Sequence, residues 1–203
     1  MAKLIIILVT LISILFIAMP NTHAQKLNPD GENKWFQNIC NGKESVAKVH
    51  FYVQDLLGGE NITVYEVARA TITSNSPTMF GQVRVLDDLL TAEPDINSQE
   101  IVRVQGLITS ADLKTSALAM NLNFVFTAGE YNRSTISILG RNQIDNDYRE
   151  LPVVGGTGIF RMARGYAITN TYSYDAVTNY GVLEYTLYVT YVEDAANIFL
   201  ANE

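Results

Sequence analysis

Asp55 ends an alternating run in which Phe51 and Val53 share its face and His50, Tyr52 and Gln54 take the other. If that face looks into a closed sheet, a carboxyl points into an apolar space. Burial there raises its pKa and suits it to proton transfer. The same run equally fits a strand-end aspartate in the turn before Gly58, and alternation leaves both readings open. Asp87 and Asp88 are adjacent on a strand, so they face opposite sides, cannot act together simply and read as turn formers. Gly155-Gly156-Thr157-Gly158 has the look of a phosphate cradle, yet it lacks the Lys-Ser/Thr ending and opens no helix. A tight turn between strands is expected there. Arg149, Arg161 and Arg164 lie around it and read as ion-pairing anchors of that loop.

Other chemistry is short of material. The histidines are His23 and His50, and His50 reads as a surface or rim residue rather than a general base. Cys40 is the single cysteine, so no intrachain disulfide and no cluster of zinc thiolates can form. Neither a metal nor a cofactor is expected. Fourteen Lys+Arg against 21 Asp+Glu give a net charge of -7, the wrong sign for a nucleic-acid surface. Hydrophobic residues make up 48% and charged ones 17%, which excludes a disordered chain.

Part of that apolar content is local. Residues 4–19 (LIIILVTLISILFIAM) carry no charge, follow Lys3 and stop at Pro20. Thr22 and Ala24 supply small residues at a cleavage site, so 1–24 reads as a secretory signal peptide. The run is shorter than the ~20 residues a spanning helix needs. A polar leader over 25–45 follows, with Cys40 in it, and then a single domain over 46–203. Secretion would make Asn61-Ile62-Thr63 and Asn132-Arg133-Ser134 candidate glycosylation sites, at Asn61 and Asn132.

The elements that must position Asp55 are strands. Runs rich in Val, Ile, Phe, Tyr and Thr cover 50–57, 65–72, 80–86, 101–109, 118–127, 134–139, 161–171 and 182–192. Met120, Leu122, Phe124 and Phe126 share one face against Asn121 and Asn123; Leu183, Tyr185, Leu187 and Val189 share another. One short helical candidate lies near 110–117. No βαβ rhythm or fixed-period repeat is present, so the fold class is all-β, a sandwich or an up-and-down barrel, and eight strands close around one small ligand.

Several segments together resemble the plant dirigent protein family. They are FYVQD (51–55), FGQVRVLDDLLT (80–91), VRVQG (102–106), NFVFTAGEYNRST (123–135), GRN (140–142), RELPVVGGTGIFRMARGYA (149–167) and LEYTLYV (183–189), in order over nearly all of the chain after its leader. The resemblance implies an eight-stranded antiparallel β-barrel of the allene-oxide-cyclase-like kind, a homotrimer, secreted to the apoplast. It implies phenylpropanoid chemistry of the lignan or lignin type. A separate laccase or peroxidase makes phenoxy radicals from a monolignol such as coniferyl alcohol. The barrel binds the radicals, or the quinone methide they form, and sets the stereochemistry without an oxidative centre of its own. By position, the resemblance makes Asp55 and Arg149 the proton-handling pair and puts Asn142 and Ile108 at the substrate; Phe51, on the same inward face as Asp55, is expected to line that pocket. Lignan-forming members carry a second aspartate where Asn142 stands and a tyrosine near Ile108. An amide cannot serve as a general acid at neutral pH but can hydrogen-bond a substrate. Asp145 and Asp147 lie nearby. The GRN form resembles the wider dirigent-like branch, some of whose members dehydrate and cyclise isoflavonoid precursors. The expected function is stereocontrol of radical coupling with an external oxidase. The alternatives are a lyase or cyclase using the same Asp55, and a defence or cell-wall protein without turnover.

Overall fold

The computed structural model describes residue 36 and residues 42–193. The apolar run 4–19, the cleavage site, Cys40 and the leader up to residue 41, Phe36 apart, lie outside the described residues. The chain divides into two compact units, 1–36 and 37–203, and every strand belongs to the second.

The strands are β1 (Glu44–Leu56), β2 (Val64–Arg69), β3 (Gln82–Thr91), β4 (Glu100–Ser110), β5 (Ala117–Phe126), β6 (Thr135–Gln143), β7 (Arg149–Thr157), β8 (Arg164–Asp175) and β9 (Tyr180–Val192). All pairings are antiparallel, in the order β1-β9-β8-β7-β6-β5-β4-β3, and β1 pairs back onto β3. That closes an eight-stranded barrel, as expected. Closure pairs the first and last strands of the ring with each other, which removes the long open edges a flat sheet would carry. β2 is outside the ring: it continues along the edge of β3 where β1 leaves it, with Val64 opposite Leu86.

Two expectations fail here. The strand over Arg149–Thr157 was hidden because Pro152 lacks a ladder donor and Gly155 and Gly156 have low strand propensity. The glycines are not a turn. Gly155 and Gly156 pair with Ser137 and Ile136, and the chain turns only at Gly158, whose φ of 62° favours glycine. Gly156 is needed for close approach, since a Cβ there would lie 2.2 Å from the Thr135 carbonyl oxygen. The second failure is the helix near 110–117. Ser110 ends β4, Ala117 opens β5, and a bend joins them. There the Asp112 carboxylate accepts from the Lys114 and Thr115 N–H groups.

The period-2 alternation sends one face of each strand inward. Phe51, Phe124, Ile136, Leu151 and Leu187 are fully buried, each contributing about 1.5–3 kcal/mol. One end of the barrel is plugged by rings: Phe160 lies 4.9 Å from Tyr131, 5.5 Å from Phe126 and 5.4 Å from Tyr191, centroid to centroid. The other end is open.

Candidate active site

Above the aromatic floor the inward side chains leave a cavity of about 690 Å³. Cavities of ~300–1,000 Å³ take a drug-sized organic ligand. Its walls are mostly apolar, with Val53, Leu86, Ile108, Met120 and Leu183 among them. The polar exceptions collect at two places.

The first is the fork where β3 exchanges β1 for β2. Gln54 pairs with Leu89, so the next step of that register sets Asp55 opposite Asp88. Directly opposed residues of an antiparallel pair point to the same face, here inward, and both carboxyls line the cavity. Thr63, entering β2, straps the fork. Its hydroxyl donates to Asp88 Oδ1, while the Leu56 N–H donates to Thr63 Oγ1 at 3.3 Å. Burial pushes the Asp55 carboxyl up to about 6, with the Arg84 guanidinium pulling it partly back. Asp88 is 2% exposed. Burial first, then the like charge of Asp55, pushes it up to about 7, against the Thr63 hydrogen bond.

The second place lies across the barrel, separated from the fork by β4 and β5 one way and by β8 and β9 the other. Asn142 stands near the end of β6 and Arg149 at the start of its neighbour β7. Both are buried cavity residues. The Arg149 Nη2 donates to Thr171 Oγ1 at 3.0 Å, while its Nε and the Asn142 Oδ1 have no protein partner among the described residues. Burial lowers the Arg149 pKa, yet guanidinium stays charged. Tyr185, fully buried, lines the cavity between packed strands; burial raises its phenol pKa, while Thr169 and Arg149 draw it down.

Of the residues singled out in the sequence, the structure brings Asp55, Arg149, Asn142 and Ile108 to one cavity. Phe51 is a correction. It does not line the cavity but lies beneath it, 5.2 Å from the Phe124 ring and 6.0 Å from Tyr185, because Val53 and Asp55 occupy the strand above it. Asp87 and Asp88 do face opposite sides, but they form no turn: Asp87 takes a hydrogen bond from Arg103 on the outside, and Asp88 faces the cavity from mid-strand. Arg149 is not a loop anchor, whereas Arg164 does pair with Glu44 on the surface. His50 lies outside against Glu184 at 2.9 Å. Asp145 reaches the rim of the cavity and Asp147 does not line it. Asn61 and Asn132 are exposed, each in a connection between strands. Among the described residues no group of three His, Cys, Asp or Glu side chains could hold a metal ion.

Sequence reasoning missed Asp88, Arg84 and Tyr185. Arg84, Leu86 and Asp88 alternate as one face of β3, and that pattern was readable. That this face meets Asp55 depends on which strand closes the barrel.

A protonated carboxyl near neutral pH can give a proton, its ionised neighbour can take one, and a guanidinium opposite can hold an oxygen gaining negative charge. The sequence model of the family described as "Dirigent-like protein" matches residues 46–190. The chain is 46% identical over 145 residues to Dirigent protein 11 of Arabidopsis thaliana, covering 70% of this chain and 75% of that one. It is 36% identical over 150 residues to Pterocarpan synthase 1 of Glycine max, covering 73% and 81%. The solved structure of the pterocarpan synthase dirigent protein GePTS1 superposes with a TM-score of 0.69 at 36% identity, over 74% of this chain and 87% of that one.

Proposed function

The chain belongs to the dirigent-like family, and we propose on that premise that its barrel binds a phenolic intermediate and directs the face on which a new bond forms. The observation that carries this reading is the opposition of the Asp55–Asp88 pair to Arg149 across an apolar cavity. A quinone methide is electron-poor at carbon, and its carbonyl oxygen gains negative charge as a nucleophile adds. Arg149 stabilises that oxygen, and an ionised carboxyl at the fork takes the proton of the attacking hydroxyl. The intermediate comes from a monolignol oxidised by an extracellular laccase or peroxidase. The test is coniferyl alcohol with a laccase, with and without this protein, followed by chiral product analysis. An excess of one enantiomer supports the reading; a racemic product at saturating protein overturns it for that substrate.

The carboxyl pair favours a second reading, a lyase or cyclase on an isoflavonoid-type alcohol. The protonated carboxyl gives its proton to a leaving hydroxyl. The C–O bond breaks, water departs and the phenolic proton is lost to solvent, which leaves the quinone methide. A second hydroxyl of the same molecule then adds, returning its proton to the carboxylate, while the phenolate oxygen takes a proton back from solvent. The net change is loss of one water, and no oxidant is consumed. Turnover without laccase separates the two readings. The same family membership supports export after cleavage near Ala24, glycans at Asn61 and Asn132, and self-association as a trimer. N-terminal sequencing of secreted material, starting at Gln25, tests the first of these.

A further inference from the structure

Among the described residues, Arg149 is a buried cation without an acidic partner. It is 5% exposed. Surface arginines behave differently: Arg69, Arg103, Arg141 and Arg164 hold Glu66, Asp87, Asp112 and Glu44. The groups facing Arg149 are neutral. Thr171 from β8 accepts from Nη2, Asn142 lines the same cavity from the neighbouring β6, and Tyr185 from β9 keeps its phenolic proton. Asp145 at the rim forms no ion pair with it, and Asp55 and Asp88 lie on the far wall. A desolvated charge without a partner is costly, and leaving one donor open adds to that cost. The open donor, Nε, belongs to a cavity residue, and the Asn142 Oδ1 of the same cavity also lacks a partner among the described residues.

We propose that the ligand itself completes this ion pair: the barrel takes an aromatic compound bearing an anionic oxygen, which seats on the Arg149 Nε beside Asn142. Rotation of the Asn142 amide lets it donate to the same oxygen. The apolar cavity then holds the ring, and the hydroxyl that reacts lies toward Asp55 and Asp88. The anionic oxygen can come from a carboxylate or from an ionised phenol. The inference rests on the reading of the cavity as an aromatic ligand site, and goes beyond it by assigning the ligand a charge before any reaction begins.

The test is titration of the purified full chain with cinnamate and with cinnamyl alcohol, which share a ring and differ in charge. A third probe is 4-nitrophenol, whose ionisation is read by absorbance. Cinnamate should bind about 10–100-fold more tightly than the alcohol, the range of a hydrogen bond to a charged group. If the phenol is the source instead, the 4-nitrophenol midpoint moves to lower pH on binding while cinnamate shows no advantage. Asn142→Asp gives Arg149 an internal carboxylate. It should bring the cinnamate-to-alcohol affinity ratio close to one, or return the nitrophenol midpoint to its value in water. It should also raise the melting temperature of the unliganded protein. Arg149→Gln should abolish the same preference. Equal affinity for acid and alcohol together with an unmoved nitrophenol midpoint overturns the proposal and leaves the aromatic cavity standing. A preference that survives both variants also overturns it. Failure of all three probes to bind overturns the cavity reading and this inference with it.

Discussion

Asp55 and Asp88 face each other at the fork where β3 exchanges β1 for β2, and the charge of the first raises the pKa of the second. The fork explains why two acids are tolerated side by side. β1 has stopped pairing with β3 and β2 has not yet begun, so the carboxyls border a cavity rather than a packed core. Thr63 satisfies one oxygen of Asp88.

Asp55→Asn keeps the shape and removes the titrating proton. Stereocontrol or turnover should fall by ~10²–10⁴-fold, the usual share of general acid–base help. Circular dichroism should be unchanged. If the product ratio and rate survive, Asp55 is only a strand-end residue. Where the protonated carboxyl does the work, the rate should also fall as pH rises past about 6.

The same variant should move its neighbour. Without the like charge of Asp55, Asp88 should titrate below its present value of about 7, yet above an ordinary carboxyl, because its burial persists. Carbon-13 NMR of the labelled carboxyls reads both effects. An Asp88 midpoint unchanged by Asp55→Asn would show that the two groups do not interact.

Stability should depend on pH through this pair. Both folded pKa values are raised above the ordinary aspartate value of 3.8, to about 6 and about 7. The stabilisation from protonated carboxyls is therefore full below pH ~4 and is lost as pH rises through 6 and 7. For Asp55 the shift corresponds to about 3 kcal/mol at most. Asp112, held down to about 2 by backbone and Arg141 hydrogen bonds, acts with opposite sign and only in more acid solution. Melting curves between pH 4 and 8 should show wild type losing stability as pH rises and Asp88→Asn losing clearly less. Parallel curves would contradict the assignment.

Gly156→Ala should destabilise the barrel by about 3 kcal/mol, the upper part of the overpacking range. The new Cβ would meet the Thr135 oxygen at 2.2 Å and the Phe160 Cβ at 2.8 Å. Denaturant titration measures it, and a loss below ~0.5 kcal/mol would mean the two strands can separate freely.

Self-association has a candidate face. Tyr65, Val85 and Leu107 stand opposite one another in successive registers on the outside of β2, β3 and β4, and Leu139 continues the row across Asn121. All four apolar side chains are exposed. Such a row marks an interaction surface. Light scattering should give a trimer, and Leu107→Glu should give a monomer that still binds ligand. A wild-type protein monomeric at every concentration would remove this expectation.

Much of this was legible in the sequence because strand alternation is local. Met120, Leu122 and Phe124 had to share a face, and so did Phe51, Val53 and Asp55, since successive Cβ atoms point oppositely. That alternation, with the family motifs, was enough for an antiparallel barrel with Asp55 on an inner face. What local pattern could not carry was pairing. Asp88 looked like half of a useless Asp87–Asp88 pair until closure of β1 onto β3 made Asp55 its partner. Phe51 looked like a substrate contact until stacking on Phe124 and Tyr185 put it beneath the cavity. β7 was invisible because Pro152 and the glycines argue against a strand, and neighbouring strands overrode that propensity. Arg149 was found by motif, but the neutral company it keeps among the described residues is a property of what surrounds it. Residue types and their alternation are written along the chain; which side chains meet across a closed sheet depends on register between strands far apart in sequence, and only the folded barrel sets it.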